Sequence, residues 1–506
     1  MSFFRKIRLK MGKRADIFST DHLHANLGAR SAHSGVVTAL AQASKLVLTM
    51  ATTAVLARIL EPEDFGLFAM VGSVLVFVTM FQDAGLSMAT VQRAKINHDQ
   101  VSTLFWANVT AGTLMAGLIL AISPLLAYIF DDHRVAPIAM GLAIPTFLSG
   151  VCAQHGALLQ RQMRFLAEQS IVVTSQVVGA ATAIIAALMG AGYWALVLKA
   201  ISASVVVVFI RWWASGWTPG LPKRGSGAGE MARFGANLTA GRFFNEMSSH
   251  ADNLLLGYFG GPAVLGLYSK AYGLLALPVR EVNKPIGMIA VPALSRLQNN
   301  PERFRRFYLR GLEMVAFISM PIIVFATIGA DKVILLMLGE KWSGSIEIFR
   351  ALAPAAFVGT ISVAGSWLLI PFGKGKKLFH LSVVSSFVTV LGFVIGLQWG
   401  ALGVATALSV TTVILKVPGL AYACKGSPVS LFDIGSAILR TSTASCVAGL
   451  LIILVGGFIQ IENLLILTGC HGVIYAISYL LLFLVLPGGA AVAKGALDFV
   501  RPFWRV

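Results

Sequence analysis

Apolar runs of about 20 residues recur from residue 34 to residue 486, the length a helix needs to cross the hydrocarbon core of a bilayer. Few features constrain a fold more tightly. Inside lipid every backbone N–H and C=O must be satisfied within the segment, so repeated spans of this kind mean a helical bundle. The pattern predicts about fourteen spans, at 34–57, 65–88, 103–130, 135–158, 167–190, 192–213, 232–257, 264–292, 311–334, 346–371, 378–399, 401–422, 437–459 and 463–486. Spans seven and eight carry several charges. The expected fold class is an all-α membrane protein. Composition agrees, since 12% of the 506 residues are charged and 57% are hydrophobic. That charged share is about half of what a soluble domain uses.

The net charge is +18. In a soluble chain this would suggest nucleic acid. Here the cations sit in alternate short loops, the positive-inside arrangement, and no nucleic-acid partner is expected. One set of segments holds about 27 Lys and Arg, among them Arg93, Lys95, Arg161, Arg164, Lys223, Arg224, Arg303, Arg305, Arg306, Lys374, Lys376 and Lys377. The opposite set holds about four: Arg58, Arg134, Lys332 and Lys341. Both termini are therefore expected in the cytoplasm, with an even number of spans. The start, MSFFRKIRLKMGKRAD, stays polar to about residue 33 and lacks a signal-peptide core, so an uncleaved tail is expected. Cys152, Cys424, Cys446 and Cys470 lie in or beside apolar runs, with no CxxC pair and no zinc spacing.

The layout predicted is a basic cytoplasmic tail at 1–33, a first lobe at 34–213, a cytoplasmic linker at 214–231, a second lobe at 232–422, a final pair of spans at 423–486 and a cytoplasmic tail at 487–506. The linker is rich in Gly, Ser and Pro, a flexible composition. The longest loop on the non-cytoplasmic side, 331–345, is too short to fold as a catalytic domain.

A shift of 200 residues brings the second lobe onto the first. Pro62, Gly66, Leu67 and Phe68 fall on Pro262, Gly266, Leu267 and Tyr268; Gly35 falls on Gly235 and Leu56 on Leu256. Parallel repeats are common in transporters, with the substrate site between the halves. The polar residues repeat as well. Thr38, Gln42, Lys45, Thr49 and Thr52 recur at spacings of three and four in span one, so they share a helix face. Arg242, Asn245, Ser249 and Asp252 stand 200 residues on from Gln42, Lys45, Thr49 and Thr52, and Glu246 and Asn253 widen that stripe. Span eight adds Lys270, Arg280, Glu281 and Lys284.

A charge at mid-bilayer costs roughly 2.5–3.5 kcal/mol, so these groups need water, counter-charges or a ligand. The cations of the repeat helices are Lys45, Arg242, Lys270, Arg280 and Lys284; the anions are Asp83, Glu246, Asp252 and Glu281. A positively biased wet cavity would suit an anionic cargo such as a pyrophosphate. Gln42, Asn245 and Asn253 are the candidates for sugar hydroxyls. Asp83, Glu246, His250 and Asp252 are the candidates for ion coupling. Simpler readings stand beside these. Arg280 with Glu281, or Arg242 with Glu246, would also serve as structural ion pairs. Lys199, Lys416 and Arg440 lie near span ends and can snorkel to headgroups. His250 is as readily a packed histidine as a proton carrier.

No P-loop, HExxH, GxSxG or Cys/His metal set occurs. The Asp131-Asp132 pair sits in a short loop and reads as solvated surface. No enzyme activity, cofactor or metal is expected. Transport would draw on an H⁺ or Na⁺ gradient, on the membrane potential or on substrate gradients.

The stretches AVLARILEPEDFGLFAM (54–70), FQDAGLSMATVQR (81–93), DNLLLGYFGGPAVLGLYSKAYGLLALPV (252–279) and IAVPALSRLQNNPERFRR (289–306) resemble Wzx-type polysaccharide-transporter flippases. These belong to the multidrug/oligosaccharidyl-lipid/polysaccharide (MOP) exporter superfamily. The resemblance implies two pseudo-symmetric six-helix lobes plus two C-terminal helices in a bacterial inner membrane. It implies a cationic cavity lined by helices one, two, seven and eight, and a groove for a lipid tail beside helices thirteen and fourteen. The implied cargo is an undecaprenyl-pyrophosphate-linked oligosaccharide for exopolysaccharide, capsule or O-antigen, flipped by alternating access. Membrane lipids are implied partners, and the resemblance leaves room for a polysaccharide polymerase or co-polymerase complex. Rival readings are a lipid II flippase, a cation-coupled multidrug or metabolite antiporter, and a membrane polymerase or ligase. The antiporter branch typically has twelve spans, and the enzymes typically carry a large external loop.

Overall fold

A computed structural model of the protein describes residues 18, 27–83, 85–93, 95–223, 228–456, 461–487 and 489, but not the side chains of 27–41, 81, 83 and 228–248. Among the described residues there are helices and turns and no strand. The helices are α1 (Leu27–Ile59), α2 (Pro62–Asp83), α3 (Leu86–Gln92), α4 (His98–Ile129), α5 (Val135–Arg161), α6 (Phe165–Leu188), α7 (Trp194–Ser215) and α8 (Ala228–Leu297). They continue with α9 (Pro301–Ile328), α10 (Ala330–Met337), α11 (Ser345–Gly359), α12 (Val363–Leu369), α13 (Gly375–Gly396), α14 (Gly400–Cys424), α15 (Leu431–Gly456) and α16 (Leu464–Val485).

Each expected span finds a helix. Spans seven and eight are the two arms of α8, joined at Gly261, whose φ of 76° and ψ of 177° are not helical. Only glycine takes that conformation cheaply, and Pro262 already disfavours a helical residue before it. Span ten is α11 and α12, interrupted at Thr360–Ser362. Among the described residues ten stretches are long and apolar enough to cross a membrane, and the one at Gly375–Cys424 contains both α13 and α14. The chain is a multi-pass membrane protein.

The chain forms two compact units, Met1–His250 and Ala251–Val506. In the first, α4 packs on α5, α5 and α6 on α7, α2 on α4 and α5, and α1 on α6. In the second, α9 packs on α11, α11 on α14 and α13 on α14, repeating part of that pattern. The breaks repeat too: α1 ends at Ile59 and α2 begins at Pro62, while α8 bends at Gly261 before Pro262. A turn at one place in a repeat and a kink at the same place in the other is what a shared ancestor of the two halves would leave.

Local chemistry sets the helix ends. Asn97 opens α4 with a reciprocal capping box, its Oδ1 accepting from the Gln100 N–H at 2.8 Å. Asn300 caps α9 ahead of Pro301, and Asn463 accepts from the N–H groups of Leu465 and Ile466 at the start of α16. Arg161, buried at 6% exposure, donates to the carbonyls of Thr90 (3.1 Å) and Arg93 at the end of α3. A loop cation of the positive-inside set is thus a C-cap for a neighbouring helix.

The first part of the linker is not the flexible tether its composition suggests. Trp217 is buried and its indole N–H donates to His98 Nδ1 at 3.2 Å. Trp106 donates to the Gly220 carbonyl at 2.8 Å, the Gly220 N–H donates to Ser102 Oγ at 3.0 Å, and Lys223 Nζ meets Asp99 at 2.9 Å. Residues 217–223 are a strap laid along the start of α4. Two tryptophans and the polar face of α4 offset the entropy that Gly and Pro suggest would be kept. Residues 224–227, residues 1–26 apart from Phe18, and most of the C-terminal tail lie outside the described residues.

In the loop between α4 and α5, Arg134 binds Asp132 (Nε–Oδ1 3.0 Å) and Glu63 at the start of α2. The guanidinium holds the Asp132 carboxyl below the usual carboxylate range. In the second unit α15 lies on α9 and α16 on α15. The seam is aromatic: Phe317 packs against Tyr479 and Phe483, Phe325 against Tyr475, and Tyr479 Oη donates to the Phe317 carbonyl at 2.9 Å.

Candidate functional site: the polar membrane helices

The stripe on α1 is partly visible. Gln42 is buried at 9% exposure and its Oε1 has no hydrogen-bond partner. Lys45 and Thr49 are half-buried, and Thr52 returns its hydroxyl to the Leu48 carbonyl at 2.7 Å. A buried amide oxygen without a donor is costly in a dry site and satisfied in a wet one. The side chains of Thr38, Asp83, Arg242, Asn245 and Glu246 lie outside the described residues. His250, Asn253 and Lys270 are half-buried.

In the second unit the α8 residues assemble across the bend. Asp252, on the first arm, is buried at 4% exposure and accepts from Tyr268 Oη on the second arm at 2.8 Å. Tyr268 lies parallel to Tyr272, with centroids 6.3 Å apart and ring planes 4° apart. The Arg280 guanidinium stands 6.0 Å from the Tyr272 centroid. An acid, two phenols and a guanidinium therefore run in series along one helix. Arg280 and Lys284 are exposed. Arg280 and Glu281 form no ion pair; Glu281 Oε2 is buried with no hydrogen-bond partner. Asn283 donates from Nδ2 to the Thr360 carbonyl at 3.4 Å, where α11 gives way to α12, and its Oδ1 has no partner.

Other intramembrane charges behave differently. Arg211 on α7 binds Glu168 on α6, each about one-fifth exposed (22% and 21%), and Arg211 Nη1 lies 3.6 Å from Cys152 Sγ. Gly156 leaves room for the guanidinium: a Cβ there would stand 2.9 Å from Arg211 Cζ. This is a helix-packing pair. Lys199 and Lys416 are half-buried.

Asp252 was legible as an intramembrane acid; its partner was not. Tyr268 is sixteen residues away and reaches Asp252 only because Gly261 folds the arms together. Tyr272, Asn283 and Thr360 gave no polar signal, being an aromatic among apolars, an amide among charges and a backbone carbonyl. Tyr268→Phe removes the donor and leaves Asp252 buried against its own backbone. We expect a loss of about 1–3 kcal/mol, read as a lower thermal midpoint of the purified protein in detergent. An unchanged midpoint would mean that the hydrogen bond contributes nothing to the bend.

A family model described as "Polysaccharide biosynthesis protein" matches residues 55–347. The chain belongs to this polysaccharide biosynthesis protein family. The match takes in both breaks of the repeat, the bent α8 and its Asp252–Tyr268 contact. Among curated relatives of this polysaccharide biosynthesis protein is the lipopolysaccharide biosynthesis protein WzxC of Escherichia coli (strain K12). It is 26% identical over 382 residues, 74% of this chain and 76% of that protein. The succinoglycan biosynthesis transport protein ExoT of Rhizobium meliloti (strain 1021) is 24% identical over 344 residues, 68% of this chain and 69% of that protein. Among solved structures, the lipid II flippase MurJ in an inward closed conformation superposes with a TM-score of 0.72. That match covers 89% of this chain and 97% of MurJ at 14% identity, a likeness of fold. A multidrug resistance MATE family transporter of the MOP superfamily, in an inward-facing conformation, shares the fold at a TM-score of 0.61 and 15% identity, over 79% of this chain and 98% of that one.

Proposed function

We propose that the protein is a flippase that moves a lipid-linked oligosaccharide between the leaflets of a bacterial inner membrane for exopolysaccharide, capsule or O-antigen synthesis. The observation that carries this reading is the polar course of α8: Asp252, Lys270, Arg280, Glu281 and Lys284 on a helix set among apolar spans. In this reading Arg280 and Lys284, both exposed, meet the pyrophosphate of an undecaprenyl carrier. Gln42 and Asn253 meet sugar hydroxyls, and the prenyl chain stays in lipid, so it never crosses water. Alternating access carries the head group across. Arg242, Lys45 and Lys270 are further cargo candidates, and Asn245 a further sugar contact. Asp83, Glu246, His250 and Asp252 remain the candidates for H⁺ or Na⁺ coupling. A transporter working in this way needs no catalytic residue of its own.

The test is complementation of a strain from which this gene is deleted, scored by polymer export. Arg280→Glu and Arg242→Glu are each expected to cut polymer export about tenfold or more, at unchanged protein level in the membrane. Export at the wild-type level from both variants, each folded and inserted, would remove cation–pyrophosphate pairing from the mechanism. Export of polymer by a host wholly lacking the protein would remove the flippase reading itself.

A further inference from the structure

We propose that His471 on α16 is a proton-binding site that latches the C-terminal helix pair to α10 when neutral and releases it when protonated. His471 is buried at 4% exposure, and Lys332 Nζ on α10 lies 3.0 Å from its Nδ1. An ammonium has only donors, so in this contact Nδ1 must be the acceptor and the ring must be neutral with its proton on Nε2. Nε2 is buried beside the Gly456 backbone, where a Cβ would stand 3.2 Å away.

A second proton would go to Nδ1. That removes the acceptor and sets two cations 3.0 Å apart, one on a buried ring and the other on a half-buried ammonium. The contact therefore holds only the neutral ring, and acid opens it. Among the described residues neither Lys332 nor His471 forms an ion pair with a carboxylate, and Glu462, in the loop before α16, is exposed. On α10 the neighbour of Lys332 is Asp331, which faces Arg350 of α11 at 3.9 Å. α9 presents Phe317, Val324, Phe325 and Ile328, and α15 presents Ala444, Ala448 and Ile452. The ionisable groups of α15 nearer its start, Asp433 and Arg440, are at least sixteen residues from Gly456, about 24 Å along a helix. On α16 itself Tyr475 Oη donates to the Ser445 carbonyl, and Cys470 adjoins His471 without lying in the contact.

The site is at the end of the second unit opposite its basic loops, those at 297–310, 370–377 and 424–430. Under the positive-inside expectation this end faces the acidic side of an energised inner membrane. The rest of the seam is aromatic and does not titrate near neutral pH, so protonation would loosen one end of α16 and leave the other packed. In assigning the latch to transport, the inference rests on the flippase reading; the latch itself does not.

The experiment is pulsed EPR distance measurement between spin labels at Glu340→Cys and Leu465→Cys, on the full chain in lipid nanodiscs without cargo, with the four native cysteines replaced by serine. From about pH 8 to about pH 5 the distance distribution of the parent is expected to broaden and lengthen. His471→Gln, whose amide oxygen still accepts from Lys332, is expected to stay short throughout. Lys332→Met removes the second cation and is expected to lose the pH response. A parent distance that ignores pH, or a His471→Gln variant that titrates like the parent, overturns the proposal. Because no cargo is present, either result is independent of the export assay. In cells, His471→Gln is expected to slow export about fivefold or more; export at the parent rate would deny the latch a part in transport.

Discussion

Glu168→Ala is expected to destabilise the first unit by about 3–5 kcal/mol, because it strands the Arg211 guanidinium between α6 and α7 without its counter-charge. The cost comes from the charge left behind and not from the contact removed. The double variant Glu168→Leu with Arg211→Met should recover most of the loss, since an apolar pair of similar volume has no desolvation to repay. Thermal unfolding of the three proteins in one detergent checks this. A double variant as unstable as Glu168→Ala would show that the loss does not come from the stranded charge.

Gly403→Val is expected to disrupt the α13–α14 hairpin. A Cβ at Gly403 would lie 2.0 Å from the Gly396 carbonyl oxygen and 2.7 Å from Trp399 Cβ. The obstacle is backbone, which cannot rotate away as a side chain would. The two helices would have to part where they cross, and overpacking of this kind costs about 3 kcal/mol or more. We expect little protein in the membrane fraction, and any that is recovered to unfold well below the parent. Gly435→Ala, where an added Cβ meets nothing within 4 Å, is the control and should be silent. Equal loss in both would place the effect outside the crossing.

Hydropathy made most of the fold legible. Each apolar run became a helix, because a backbone in lipid has no alternative to bonding itself. The 200-residue shift placed Pro262 on Pro62, and both mark a break in the chain. What periodicity left unread was partnership. A hydropathy pattern says that Asp252 is among apolar residues; it does not say that Gly261 will swing Tyr268 to it. Arg161 scored as an inside-loop cation, whereas it closes the end of α3. Trp217 and Gly220 sat in a stretch whose composition reads as loose, yet Trp106, Ser102 and His98 bind it down, and those partners are more than a hundred residues earlier in the chain. Arg280 and Glu281 are sequence neighbours of opposite charge that do not pair, since adjacent residues on a helix point about 100° apart.

The interruption at Thr360–Ser362 has a mechanical meaning. Thr360 and Ser362 keep right-handed helical dihedrals while Ile361, Ser362 and Ala364 each bond three residues back, so the winding tightens for a turn and offers a place to bend. With α11 only 15 residues long and α12 only 7, the span acts as two short levers meeting at a pivot. Tyr308 Oη steadies the second lever at the Ala364 carbonyl, and Asn283 touches the pivot at Thr360. A tilt imposed on α11 would be taken up at this turn before it reached α12, which Tyr308 holds against α9.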